Sequence, residues 1–148
     1  MTAAVTDRGA RALLAQLADA WNRGDPRSGA DCFTPDAIYL EPPDRQRHVG
    51  RAELYTFFGG AAPDCPAMSM TWHHLAVDDV TGLVFGEYTF SGNMTYHGVA
   101  VIQLHDGLIS AWREYQYQSP LSFTDFAGDS LRPGFSAGRA AGGQSADQ

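Results

Sequence analysis

The chain has 148 residues and a formal net charge of −7, and its ten basic residues are all arginine. That length suits a single domain able to bury roughly 70% of its unfolded surface without disulfides or metals. The acidic balance disfavours nucleic acid, which is held through clustered basic residues, and the lack of lysine excludes Schiff-base and pyridoxal chemistry on a side-chain amine.

Residues 1–8 lack a basic segment followed by an apolar run, and no stretch approaches the length of a membrane span. Cys32 and Cys65 form no CxxC pair, which fits a reducing compartment. A soluble, cytoplasmic protein without a membrane partner is expected. Along residues 7–23, Leu13, Leu14, Leu17, Ala18 and Trp21 recur on one face and predict a helix. Asn22-Arg23-Gly24 stops it, and Asp25-Pro26 sets an N-cap before a first-turn proline, opening a short second helix to about Phe33.

Thr34-Pro35-Asp36 reads as a turn, and residues 37–41 as a strand that ends where Pro42-Pro43 removes two donors. A polar loop over 44–49 leads to a third helix over 50–58, stopped by Gly59-Gly60. The period then becomes two, with strands expected at 67–77, 83–91, 95–105 and 108–118. Turns at Asp78-Asp79, Ser91-Gly92-Asn93 and His105-Asp106-Gly107 join them into an antiparallel meander. Residues 1–127 are read as one domain and 128–148 as a flexible tail, Gly/Ala/Ser-rich and disordered from 134. The expected class is α+β: a cone-shaped, curved, antiparallel-rich sheet with three N-terminal helices enclosing a pocket.

Three of the four glutamates, Glu41, Glu87 and Glu114, fall on these strands, although glutamate is depleted in strands. The simplest place for any one of them is the solvent face. Alternation nevertheless sets Glu41 on the face of Tyr39 and Ala37, and Glu114 on the face of Trp112. Two carboxyls beside one apolar pocket push their pKa values apart, leaving one as base and the other as acid.

Tyr39, Tyr88 and Tyr96 are candidates for a polar wall, with Tyr88 and Tyr96 able to donate to a developing enolate; the alternative for each is ordinary wall packing. Phe90 and Trp112 supply an apolar wall. Only one of His73 and His74 is expected to point inward, and His74, which alternates with Trp72 and Met70, is preferred as a second proton carrier. The histidines show no ligand spacing and no glycine-rich loop opens a helix, so neither metal nor cofactor is expected. Arg45, Arg47, His48 and Arg51 form a local basic rim, either merely solvated or able to meet a carboxylate or phosphopantetheine. Apolar outer-face residues Val99, Val101, Ile109 and Tyr115 suggest a homodimer.

Four runs, Trp21-Asn22-Arg23-Gly24-Asp25, residues 33–42, Gly50-Arg51-Ala52-Glu53-Leu54 and residues 106–115, together resemble the nuclear transport factor 2-like superfamily in its SnoaL-like branch. The likeness extends over about residues 8 to 120. The resemblance implies this fold and a range of activities, from ketosteroid isomerases, polyketide cyclases, dehydratases and limonene-epoxide hydrolases to proteins without catalysis. Glu41 matches the acidic residue before a proline that transfers protons in ketosteroid isomerases and polyether epoxide hydrolases. The oxyanion-hole positions of the isomerases hold Leu17 and Ala100. In the limonene-epoxide hydrolase pattern Glu114 matches the last acid of an Asp-Arg-Asp set whose other two members are replaced by Tyr88 and Phe90, while Tyr39 and Glu41 match the pair that holds the water. The resulting expectation is a cofactor-independent acid–base enzyme on a small, mostly apolar carbonyl or epoxide substrate: a cyclase, isomerase, dehydratase or epoxide hydrolase. The alternative is a non-catalytic small-molecule binder or accessory protein.

Overall fold

The computed structural model describes residues 4–62 and 68–131. Helix α1 (Asp7–Asn22) begins where Thr6 Oγ1 accepts the Gly9 amide at 3.0 Å, and its apolar stripe, Leu13 to Trp21, is buried. Helix α2 (Pro26–Ala30) is capped by the Asp25 side chain, which accepts from the Ser28 amide at 3.1 Å. It stops three residues short of the expected Phe33, which instead opens strand β1 (Phe33–Leu40).

Thr34-Pro35-Asp36 therefore lies within a strand and not in a turn. Pairing along β1 skips from Phe33 to Ile38, so Pro35, which has no N–H to give, sits where no ladder bond is required. Another departure is β2 (Arg47–Val49), expected as loop, which pairs antiparallel with β1 through Tyr39 and His48. Helix α3 (Arg51–Phe57) follows, then β3 (Ser69–Asp78), β4 (Leu83–Ser91), β5 (Thr95–His105) and β6 (Leu108–Gln118).

One six-stranded sheet results, in the order β2-β1-β6-β5-β4-β3, antiparallel except where β1 meets β6. Its concave face packs on α1 and α3 through Leu14, Leu17, Phe33, Leu54, Val84, Ile102 and Ile109, all fully buried. Ile109 was expected on the outer face. Gln103 pairs with Ala111 and Leu104 with Ile109, so Ser110 is an extra residue, and that bulge turns Ile109 inward. Among the described residues no helix is long and apolar enough to cross a membrane. Cys32 is buried, whereas Cys65 and the expected disordered stretch 134–148 lie outside the described residues.

After β6, Ser122 caps a short helix α4 (Phe123–Ala127), followed by a 3-10 turn (Gly128–Leu131). The α4 segment is joined to the outer sheet face by stacking of Phe123 on His73, with centroids 3.5 Å apart, and of Phe126 on His97 at 4.4 Å. A polar chain runs beneath: His73 Nε2 to Thr89 Oγ1 at 2.7 Å, Thr89 Oγ1 to His97 Nδ1 at 2.9 Å, and His97 Nε2 to the Leu121 carbonyl at 2.9 Å. A carbonyl only accepts, so His97 Nε2 carries a proton. With both rings neutral, Thr89 then donates to His97 Nδ1 and accepts from His73 Nε2–H.

Burial holds His73 below the ordinary imidazole value, with the nearby Glu87 opposing and His74 and His97 adding to the shift. The folded chain thus binds this proton less readily than the unfolded one. The His73 contribution to stability is full above the ordinary imidazole value of about 6.5 and is lost as pH falls below it. Amide exchange protection across residues 122–127 is expected to drop at pH 5 before that of the sheet, and Thr89→Val should produce the same local loss at pH 7.

Candidate functional site

The concave face is wider than its side chains fill, and a cavity of about 270 Å³ remains. Trp21, Phe57, Phe58, Met68, Met70 and Phe90 form most of its apolar wall. Polar groups gather at one end, where Tyr39 and Glu41 of the β1 edge, Tyr88 of β4, Tyr96 of β5, and Trp112, Glu114 and Gln116 of β6 reach the cavity. Period-two alternation puts each set on one face.

Glu41 stands one residue past the end of β1, its amide donating to the Gln46 carbonyl at 3.0 Å, which closes the Pro42–Gln46 loop beneath it. Glu114 is only 6% exposed. Its Oε1 accepts from Tyr39 Oη at 2.8 Å and Trp112 Nε1 at 2.7 Å, and its Oε2 accepts from Tyr88 Oη at 2.8 Å. Three donors replacing water are what a buried carboxylate requires. The Tyr39 ring stacks on Trp112 with centroids 5.4 Å apart and an interplanar angle of 7°, and Trp112 meets Trp21 edge-on at 5.8 Å.

Tyr88 reaches Glu114 from two strands away. Between them on β5 lie Gly98, paired with Tyr88 and Gln116, and Ala100, paired with Glu114. A Cβ at Gly98 would come within 2.6 Å of the Tyr115 carbonyl. The absence of a side chain at Gly98 therefore lets β5 lie close against β6 at this point.

Burial, then the charge of Glu114, raises the pKa of both phenols, well above the ordinary value for Tyr39, so both remain donors. Glu41 is pushed up to about 8, first by burial, then by the Glu114 charge and the hydrogen bond between the two carboxyls. Of the two carboxyls, Glu41 is thus the one whose proton is held more tightly than usual.

Tyr39, Tyr88, Phe90, Tyr96, Trp112, Glu41 and Glu114 all line the cavity. His74 does not. It is exposed on the outer face and bonded to Glu87 at 2.5 Å. Trp72 pairs with Tyr88 and His74 with Glu87, so His73 is an extra residue; both histidines face outward while Trp72 and Leu75 pack on the core. The basic rim is also dispersed, because Arg51 donates to the Phe33 carbonyl at 2.6 Å and His48 stacks on Phe57 at 3.9 Å. Gln116, Trp21 and Phe57 are lining residues that sequence reading did not single out. Gln116 was within reach of the same alternation that links Trp112 to Glu114.

Folded Glu41 keeps a proton that the unfolded chain has already released, so its contribution to stability is full below its ordinary pKa of about 4.5 and declines as pH rises through about 8. In urea unfolding across pH 4 to 9, Glu41→Gln should flatten this decline and be the more stable protein at pH 8. Tyr39→Phe leaves Glu114 one donor short and should cost about 1–3 kcal/mol in urea unfolding at pH 7.

The fold has many solved counterparts. A protein of unknown function with a cystatin-like fold from Methylobium petroleophilum PM1 is 19% identical with a TM-score of 0.68, over 88% of this chain and 95% of that one. An LEH-like epoxide hydrolase of M. tuberculosis is 17% identical with a TM-score of 0.62, over 74% of this chain and 84% of that one. SalBIII, an epoxide hydrolase/cyclase-like enzyme in pyran ring formation of the polyether salinomycin, is 19% identical with a TM-score of 0.63, over 75% and 92%. No curated protein matches the sequence. The family model of the SnoaL-like domain matches residues 14–112, more than half the chain, and the chain therefore belongs to the SnoaL-like family.

Proposed function

We propose that the chain is a cofactor-independent acid–base enzyme acting on a small, mostly apolar epoxide or carbonyl substrate. The observation that carries this reading is the carboxyl pair at one end of an apolar cavity, with Glu114 held by Tyr39, Tyr88 and Trp112 and Glu41 facing the same space. The epoxide hydrolase and the polyether cyclase-like enzyme that share the fold support it.

Glu41 acts first as the acid. It gives its proton to a substrate oxygen, an epoxide or a leaving hydroxyl, as the C–O bond breaks, and the neighbouring Glu114 charge stabilises positive character developing on carbon. The carboxylate left on Glu41 then takes a proton back, from attacking water in an epoxide opening or from carbon in a dehydration or isomerisation. The catalytic roles assigned here are Glu41 as proton carrier and Glu114 as fixed charge; His74, outside the cavity, has none.

A second reading, a non-catalytic binder, draws on the fact that Glu114 has donors from the protein alone. Glu41→Gln separates the two. Turnover of a panel of small cyclic epoxides and β-hydroxy ketones, followed by mass spectrometry, should fall by about two to four orders of magnitude while ligand binding persists. Activity should also decline above pH 8 as Glu41 loses its resting proton. A wild-type protein inert on the whole panel would favour the binder.

The assembly we propose is a homodimer through the outer sheet face, where Phe85, Val99, Tyr115 and Tyr117 are exposed together. Sedimentation equilibrium should give twice the chain mass, and Tyr115→Arg should give the monomer.

A further inference from the structure

The Tyr88 hydroxyl has two contacts that each look like a donation: Glu114 Oε2 at 2.8 Å and the Gln116 side-chain amide oxygen at 2.7 Å. A phenol has one proton. Glu114, already receiving from Tyr39 and Trp112, is an acceptor, so giving the proton to Gln116 would leave a carboxylate oxygen and a phenol oxygen facing each other without a hydrogen between them. In a largely buried setting that contact is repulsive and leaves the carboxylate short of a donor. Turning the Gln116 amide by half a revolution removes the conflict. The amide nitrogen then donates to Tyr88 Oη, Tyr88 donates to Glu114, and no heavy-atom position changes except for the exchange of O and N.

The amide oxygen now takes the other position, which has no hydrogen-bond partner among the described residues, on a side chain that lines the cavity. Tyr39, Tyr88 and Trp112 have spent their protons on Glu114. Gln116 is exposed as well as lining the cavity, so among these groups it brings an acceptor open to solvent to the polar end that also holds the Glu41 carboxyl.

We infer that Gln116 is a specificity-determining residue whose amide oxygen accepts a hydrogen bond from a ligand hydroxyl, so that the guest is a compact hydroxylated molecule whose second oxygen meets Glu41. The inference rests on the proposed function only in taking this cavity as the ligand site; it needs no turnover.

The test has a ligand-free and a ligand-bound arm. In nitrogen-15 NMR of the free protein at pH 7, one Gln116 side-chain amide proton should be shifted downfield and protected from exchange, and Tyr88→Phe should return it to free-amide behaviour. Two ordinary, rapidly exchanging amide protons in the wild type would overturn the orientation. The second arm follows the Trp112 indole signal during titration with cyclohexanone and with 2-, 3- and 4-hydroxycyclohexanone. At least one hydroxylated ketone should bind about tenfold more tightly than cyclohexanone, the effect of one good hydrogen bond, and Gln116→Leu should abolish the margin. Equal binding of all four, no binding by any, or a margin that survives Gln116→Leu would overturn the selectivity. A margin seen in a protein that turns nothing over would leave this inference standing and sink the catalytic reading instead.

Discussion

Burying the Glu114 carboxylate against Trp112 is unfavourable unless donors replace its water, and the fold supplies them from β1, β4 and β6 at once. The cost of leaving any of these donors unmade is larger than the gain from an ordinary surface bond. The knot therefore constrains the sheet as much as the site. It requires β1 to lie beside β6 so that Tyr39 stacks on Trp112, and β4 to lie one strand beyond β5 so that Tyr88 reaches Glu114 across it.

Much of this was legible in the sequence because period-two alternation holds within an uninterrupted strand. Tyr39 with Glu41, Tyr88 with Phe90, and Trp112 with Glu114 were all assignable to one face on that basis, and each pair lines the cavity. The same rule misplaced His74 and Ile109 for one reason. A bulge adds a residue to one strand only, His73 on β3 and Ser110 on β6, and every side chain beyond it changes face. Neither bulge carries a glycine or proline to announce it. Pro35 misled in the opposite direction, since a proline in a strand is tolerated where the partner strand leaves the ladder unpaired.

The division of labour between the two carboxyls was legible only as a division. That two glutamates near one apolar pocket must differ in proton affinity follows from their charges; which of them keeps the proton depends on who else donates. Glu114 has three donors from neighbouring side chains, whereas Glu41, at the end of β1, has a half-buried setting and a charged neighbour. The donors come from residues 26 and 75 positions away in sequence as well as from Trp112, so no local pattern could have revealed them.

Most of the cavity wall is aromatic or thioether, and such a surface discriminates weakly between an apolar guest and the same guest carrying one more oxygen. Discrimination must come from polar groups not already bound to protein. The phenols and the indole that hold Glu114 are excluded from that role by the very bonds that bury its charge. Selectivity is thereby displaced from the centre of the polar end to its flanks, where Tyr96 of β5 and Gln116 further along β6 line the cavity. In this arrangement the charge at the centre can remain constant while the flanks change, so the guest accepted by the pocket can vary without disturbing the interaction that holds the sheet in register.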